Sequence, residues 1–542
     1  MSLPKVVIAA MLFLALAATG LAVAPPPAPP PGAAGEAPRK SLKMGPEVVG
    51  VVKSNSDFAL DLYGRLSGEK AGKNLFFSPY SVSSALAMVV EGARGETAEQ
   101  MGKVLRFPEA ARRGGEDAKL VPWDTAQVHT GMAALNDHFH AGSRAAPPAV
   151  REKIAALRKE LQAANRSAAE FLKARNWGEQ EKAARKSQTV AAELNKLQSQ
   201  YGQYELRVAN ALWGEKTYRF QQPYLDTVHK YYRTGGLFPV DFRNDFEGAR
   251  KRINAWVEGQ TNDRIKNLIP ADALDEETKK LVRLVLTNAI YFKGEWAEVF
   301  AEGQTKDEDF TLAGGAKVRA PMMRRGDMRS VRYAAFQGDG TFFDTPARVL
   351  RGAVDEKKVY PDERGFTMLE LPYKGGELAM VVLVPRSAGG LGALEKKFTS
   401  ANLGAWLGKL RQRGVHVYLP KFKVETKYDL GNTLQAMGMA RAFKDPRRAD
   451  GAQFDAMSES QDPAQKLYIS KVLHKAFVEV SEKGTEAAAA TAVIMARPTA
   501  APLSVPFTPT FKADRPFLFL VRDRQTGSIL FLGRMVNPHE KG

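Results

Sequence analysis

The sequence has 542 residues, of which 44% are hydrophobic and 25% charged, an ordinary globular composition that can bury a large core. The complete absence of cysteine excludes disulfides, thiol nucleophiles and cysteine-ligated metals. The formal net charge of +18 is compatible with a polyanion partner, although a generally basic, solvated surface explains it more simply.

The N-terminal segment differs in character from the rest of the chain. Lys5 precedes an apolar run over 6–18, and the small residues "AVA" end at Ala24, a pattern typical of a secretory signal peptide over 1–24. The alternative, a membrane anchor, needs roughly 20 apolar residues. A proline-rich linker follows over 25–44. We therefore expect export to an extracellular or periplasmic location, with no membrane span after the signal is removed.

Helical and strand patterns alternate irregularly after the linker. Phe58, Leu62 and Leu66 share one helix face, with Asn55 or Asp57 as the expected cap, and a second helix opens at Ser78-Pro79. Strands are predicted at 204–213, 281–296, 366–373, 377–385 and 415–430, with a closing hairpin that turns at 525–527. Because regular βαβ repetition is missing, the predicted fold class is α+β.

Two segments depart from this pattern and are interpreted as insertions. Segment 147–200 predicts two helices with a break near Trp177, and it carries eleven Lys and Arg against six Glu. We interpret this charge first as a solvated helical face and second as a binding patch. Segment 337–363 is rich in turn residues and predicts a surface loop.

The chain contains no recognisable catalytic constellation. The G-x-S-x-G, H-E-x-x-H and G-x-x-x-x-G-K-[ST] patterns are missing from the sequence. We expect His129, His138 and His140 to be exposed rather than to bind a metal, and His474 to be a buried structural histidine. The prediction is a protein that is not an enzyme and has no cofactor.

Several stretches in a characteristic order resemble the serpin family over residues 45–538. They are "NLFFSPYSVSSALAMV" (74–89), "LTNAIYFKGEW" (286–296), "KVLHKAFVEVSEKGTEAAAATA" (471–492) and "FKADRPFLFLV" (511–521). The resemblance implies the serpin fold: a large mixed central sheet, surrounding helices and an exposed reactive-centre loop. It also implies inhibition of serine proteases, with cysteine proteases as a second class. The loop is cleaved as bait and then inserts into the sheet, trapping the acylated protease.

The resemblance also implies site residues. The shutter, a polar cluster beneath the sheet, corresponds to Ser78, Ser81, Asn210 and His474. The breach, where insertion begins, corresponds to Trp296, Lys421 and Glu482, with an ion pair predicted between the last two. The hinge corresponds to Gly484, Thr485, Glu486, Ala487, Ala488, Ala489, Ala490, Thr491 and Ala492. The candidates for the cleaved bond are Arg497, Pro498 and Thr499, and the target protease stays open.

The residues of the hinge favour an insertable strand. Alternate positions starting at Thr485 would face inward and are small or apolar, whereas the charged Glu486 has the outward parity. We expect this hinge to be exposed before cleavage. Propensity alone would favour a helix capped by Thr485. The alternative function is a non-inhibitory serpin: a carrier, a chaperone or a polyanion-binding protein. We expect a monomer with a protease as partner and no specific nucleic acid.

Overall fold

The computed structural model describes residues 42–143, 148–174, 176–200, 204–232, 237–273, 282–350, 359–460, 462, 466–485 and 504–540. Three predicted features therefore lie outside the described residues. They are the signal peptide with most of the linker, the hinge from Glu486 onward, and the candidate cleaved bond at 497–499.

The helices carry the labels used below. They are α1 (Pro46–Glu69), α2 (Pro79–Val90), α3 (Gly95–Val104), α4 (Thr125–Gly142), α5 (Pro148–Lys173), α6 (Trp177–Gln200), α7 (Gln222–Tyr231), α8 (Phe246–Gln260), α9 (Leu391–Glu395), α10 (Ser400–Lys409) and α11 (Gly431–Ala436).

The strands are numbered in the same way. They are β1 (Leu75–Phe77), β2 (Tyr204–Glu215), β3 (Leu237–Val240), β4 (Leu284–Glu295), β5 (Lys306–Thr311), β6 (Lys317–Met328), β7 (Arg332–Phe336), β8 (Phe342–Phe343), β9 (Arg348–Leu350), β10 (Phe366–Pro372), β11 (Leu378–Pro385), β12 (Arg411–Gln412), β13 (Val415–Pro420), β14 (Phe422–Asp429), β15 (Lys471–Ser481), β16 (Gly484–Thr485), β17 (Ser504–Pro506), β18 (Thr510–Lys512), β19 (Phe517–Asp523) and β20 (Ile529–Met535).

A six-stranded main sheet has the order β14-β15-β16-β4-β2-β3. Most of its neighbours are antiparallel, but β15 and β4 pair in parallel from Lys471↔Val285 to Phe477↔Tyr291. We call this parallel contact the seam. Alternate residues of β4 enter different cores, because successive side chains of a strand point to opposite faces. Val285 and Ala289 pack beneath α8, whereas Leu286 and Ile290 join the larger core on the other side.

The second sheet has the order β1-β20-β19-β11-β10-β7-β12, with β8 paired to β7. Its closing hairpin, β19–β20, is antiparallel and turns where the sequence predicts. A four-stranded sheet, β18-β13-β6-β5, lies at the breach, and β17 and β9 form a separate two-stranded sheet. This mixture of helices and mostly antiparallel sheets confirms the α+β class.

Two local predictions are wrong. The predicted cap at Asn55 or Asp57 fails because α1 begins at Pro46, and Asn55 is a buried mid-helix residue whose amide donates to the Ile529 carbonyl at 2.9 Å. The predicted strand 415–430 divides into β13 and β14, which belong to different sheets. The division falls at Pro420-Lys421, where proline has no N–H to continue a ladder.

The segment 147–200 forms the two helices that the sequence predicts, α5 and α6, separated just before Trp177. Leu157, Val190 and Leu194 form an apolar cluster of their own, separate from the main core. Ion pairs cross between the helices at Lys153–Glu193 (2.9 Å) and Lys186–Glu160 (3.0 Å). The hairpin is therefore held together mainly by contacts between its own two helices.

Candidate functional site

The shutter residues meet beneath the seam. The backbone N–H of Ser78 donates to His474 Nε2 at 3.0 Å, so the imidazole carries its proton on Nδ1 and donates it to Asn288 Oδ1. Burial lowers the pKa of His474 to about 3. The ring therefore stays neutral at physiological pH, and the sequence prediction of a buried, hydrogen-bonded histidine is confirmed.

Two more shutter residues close the same network. Ser81 Oγ donates to Asn210 Oδ1 at 2.9 Å, and Asn210 Nδ2 donates to the Ser81 carbonyl at 3.0 Å. The Asn288 amide donates to both Ser81 Oγ and Asn210 Oδ1. Asn288 is a member that the sequence reasoning missed, although it lies inside the quoted stretch "LTNAIYFKGEW". Only its cross-strand register, opposite Asn210 and His474, shows its role.

The shutter cluster bridges the two strands of the seam. It connects α2 to β2, β4 and β15, with every member buried. Separating β15 from β4 must break the bond between His474 and Asn288, which crosses the seam. Because a buried polar group without a partner is costly, the closed network resists partial opening.

The predicted breach residues come together at the end of β15. Lys421 Nζ lies 3.0 Å from Glu482 Oε2, and the Thr305 hydroxyl donates to Glu482 Oε1 at 2.8 Å. The predicted ion pair is therefore present. Burial raises the pKa of Glu482, but hydrogen bonds from its own backbone, Thr305 and Lys421 outweigh that effect and hold the pKa below its ordinary value. The carboxylate is charged at neutral pH.

Trp296 completes the breach. Its indole N–H donates to the Ser481 carbonyl at 3.0 Å, and its ring stacks on Tyr373 with centroids 4.6 Å apart. Its backbone N–H donates to the Lys483 carbonyl at 2.9 Å. The tryptophan therefore holds the turn that leads from β15 into the hinge.

The first two hinge residues are already part of the main sheet. As β16, Gly484 and Thr485 pair with β15 on one side and with Glu295 and Gly294 of β4 on the other, antiparallel in both cases. Gly484 has φ +145°, and a Cβ there would collide with the carbonyl oxygen of Gly294. Only glycine fits this close approach.

The expectation of an exposed hinge is wrong for Thr485. Its side chain is fully buried, and its hydroxyl lies 2.9 Å from the Tyr373 hydroxyl. The cause is the pairing of β16 on both edges, which directs Thr485 into the core. The inward parity inferred from the sequence agrees with this orientation.

Two histidines also differ from expectation. His129 is buried, with Nδ1 2.8 Å from the Tyr232 hydroxyl and Nε2 3.0 Å from Glu91 Oε2. His138 Nε2 lies 3.2 Å from the buried Asp523 carboxylate. Both are enclosed because α4 packs against α1 and α7. His140 is exposed, as predicted. Within the described part of the chain, no group of three or more His, Cys, Asp or Glu side chains could hold a metal ion.

Known proteins share this architecture. A family model described as Serpin (serine protease inhibitor) matches residues 53–155 and 146–538. Human Serpin B4 is 36% identical over 490 residues, covering 90% of this chain and 99% of that protein. Leukocyte elastase inhibitor A of Rattus norvegicus is 34% identical over 491 residues, covering 90% and 98%.

A solved structure of uncleaved ovalbumin is 26% identical with a TM-score of 0.62, and the match covers 90% of this chain and all of that one.

Among the helices that the structure describes, none has both the length and the apolar character of a membrane crossing.

Proposed function

The chain belongs to the serpin family, and we propose that it is a secreted inhibitor that proteases cleave as a suicide substrate. The matching family model is described as a serine protease inhibitor, serpins are not enzymes, and the name of one relative identifies it as an inhibitor of leukocyte elastase. The observation that carries the proposal is the position of β16. β16, the described segment that leads into the reactive loop, lies between the two strands that must separate for the loop to insert.

The register defines where the following residues would go. Thr485 lies opposite Gly294, so residues 486–495 would face the rest of β4 down to Leu284. Insertion there replaces one parallel contact, the seam, with two antiparallel contacts, which are slightly more stable per residue. Small, uncharged residues at the inward positions cost little to bury. The free energy released by this extra central strand is the driving force for trapping.

The chemical step belongs to the protease. Its nucleophile attacks the carbonyl carbon of the residue before the cleaved bond and forms an acyl-enzyme, while the new amine end of the loop leaves. Insertion must then outpace attack by water on that ester. Arg497, Pro498 and Thr499 remain the candidates at the cleaved bond, and they lie in the charge-poor part of the loop outside the described residues.

A panel of trypsin-, elastase- and subtilisin-like enzymes tests the proposal directly. We expect at least one to form an SDS-resistant complex, with mass spectrometry of the released C-terminal peptide locating the cut near 495–500. Cleavage without any complex across the panel would contradict inhibition. Salt-dependent retention on a polyanion column, together with that result, would favour the non-inhibitory alternative.

Secretion forms the second part of the proposal and has its own test. The apolar run after Lys5 and the small residues that end at Ala24 support it. When the full chain is expressed, the protein should appear in the medium or periplasm, and N-terminal sequencing of it should begin at Pro25. Retention of the intact N-terminus inside the cell would contradict export while leaving the inhibitory proposal intact.

A further inference from the structure

The insertion 337–363 contacts the C-terminal end of the reactive loop. Its strand β9 pairs antiparallel with β17, through Ser504↔Leu350, Val505↔Val349 and Pro506↔Arg348. The N–H of Phe507 continues this ladder by donating to the Ala347 carbonyl at 3.0 Å. The C-terminal end of the loop is therefore bonded to a segment for which the family resemblance gives no role.

Arg413, in the turn between β12 and β13, joins the two partners. Its guanidinium donates to the Phe507 carbonyl at 2.7 Å and to the Pro346 and Thr345 carbonyls at 3.1 and 3.4 Å. It also lies 5.9 Å from the centre of the Phe507 ring. One side chain thus bridges the insertion and the loop, and its several donors suit this role better than a lysine ammonium would.

The described part of the insertion is itself attached to the protein body. Tyr360 is buried, its hydroxyl accepts a hydrogen bond from the Tyr333 hydroxyl of β7 at 3.0 Å, and its ring lies 6.5 Å from that of Phe507.

The proline at position 506 is compatible with the pairing of β17 and β9. Because Phe507 and Ala347 form a hydrogen-bonded pair, position 506 falls at a non-hydrogen-bonded pair, where a missing N–H costs nothing.

We propose that β9, β17 and Arg413 form a clamp that confines the bait to residues 486–503 and prevents the uncut loop from inserting fully. The second consequence rests on the proposed function. The clamp leads into β18, which lies beside β13, the strand that ends next to the breach residue Lys421. An uncut, inserted loop would therefore have to return from the far end of the main sheet to the breach end.

Chain length decides whether that return is feasible. An inserted strand of about ten residues, 486–495, would run ~33 Å down the sheet. With β17 clamped, residues 496–503 would have to span the way back, and fully extended they reach at most ~29 Å. With the clamp released, residues 496–509 reach ~50 Å. Cleavage removes the constraint, because the inserted strand then has no connection to β17.

Two variants break the clamp by different means. Val349→Pro removes the N–H at a hydrogen-bonded pair, and Val349→Ala is its matched control. Arg413→Ala removes the bridge. Arg411→Ala is its matched control: it removes the same charge nearby, from a side chain that donates to the Gly408 and Leu410 carbonyls. Each variant is incubated with a low ratio of a broad-specificity protease, and the cut sites are mapped. Hydrogen exchange is followed at the Phe507 amide, and inhibitory titre is followed over time at 37 °C.

Wild type and both controls should be cut only within 486–503 and keep their titre. Val349→Pro and Arg413→Ala should gain cuts at 504–509, show at least tenfold faster exchange at Phe507, and lose titre several-fold faster as an uncut monomer. Unchanged cut sites and exchange in both variants would overturn the clamp. New cuts with an unchanged lifetime of the titre would overturn its role in insertion. If the wild-type protein inhibits no protease, the proposed function is wrong. The mapped cut sites and the exchange rate of the Phe507 amide still test whether the clamp exists.

Discussion

Thr485 occupies, before any cleavage, the kind of position that an inserted hinge residue must take. Its side chain is fully buried and its hydroxyl contacts that of Tyr373. A substitution here should therefore change the intact protein as well as the proposed insertion step, which a sequence-based expectation of an exposed hinge does not foresee.

Thr485→Arg tests both effects. Burying an unpaired charge should lower the free energy of unfolding of the intact protein by about 3–5 kcal/mol. Slowed insertion should also let the protease hydrolyse its ester, so that cleaved protein replaces the covalent complex. Glu486→Arg is the matched control, because its outward parity predicts little effect on either property. Denaturant unfolding and SDS gels measure the two. Wild-type stability and wild-type trapping in Thr485→Arg would contradict the assigned orientation.

His474 connects the shutter to pH. Its folded pKa of about 3 lies below the ordinary value of 6.5, so the fold holds the neutral form. Above about pH 6.5 neither state binds this proton and its contribution to stability is complete. Between about pH 6.5 and 3 the unfolded chain binds a proton that the folded protein refuses. Stability therefore falls as the pH falls, with a slope of about 1.4 kcal/mol per pH unit from this one group.

The measurement is the unfolding free energy between pH 7 and pH 4 for wild type and His474→Asn. The variant should have a shallower slope by about one proton, even if its stability at pH 7 is lower. Equal slopes for wild type and His474→Asn would mean that the imidazole does not resist protonation in the folded protein.

At the scale of elements, the breach joins strands from different sheets. Lys421 lies between β13 and β14, and Glu482 lies between β15 and β16, so their ion pair bridges two chain segments at the top of the seam. The Glu482 side chain is 8% exposed, whereas that of Lys421 is 40% exposed, so the pair is only partly shielded from solvent.

Glu482→Lys should loosen this end of the seam. It replaces attraction by repulsion and removes the acceptor for Thr305, at a cost of about 1–3 kcal/mol for a partly exposed pair. We expect polymers at a lower temperature than for wild type, measured by light scattering and native gels during heating. Glu302→Lys is the control, since it breaks a more exposed pair with Lys483 nearby. Identical heating profiles for Glu482→Lys and wild type would argue against the ion pair as a restraint on opening.

For the whole molecule, the proposed insertion predicts that the intact state is metastable. Most of β4 and β15 pair directly with each other. If these two strands separated, a central strand could be extended between them by about ten residues. Those residues would form a new ladder whose hydrogen bonds contribute roughly 1 kcal/mol each. In the proposed mechanism the intact protein lacks this ladder, and the shutter, the breach and the covalent continuity of the loop keep the seam closed.

Limited cleavage within 495–500 should therefore raise the Tm by at least about 10 °C. Calorimetry of intact and cleaved protein provides the comparison. The Thr485→Arg variant, cleaved in the same way, should gain much less. A cleaved wild-type protein that melts no higher than the intact one would show that the loop does not insert, and would favour a carrier or chaperone.

The sequence by itself determined the fold class, the closing hairpin and the paired helices of segment 147–200, and the family resemblance named residues that the structure brings together at the predicted shutter and breach. These features depend on local periodicity or on contiguous stretches such as "LTNAIYFKGEW", and both can be recognised in the sequence without knowledge of the tertiary structure. Only the tertiary structure showed that Asn288 completes the shutter, that Thr485 is buried, that His129 is enclosed, and that β9 holds β17. Each of these depends on which residues face one another across strands or helices distant in sequence. Register and packing between distant elements are decided by the whole core, and no local pattern encodes them.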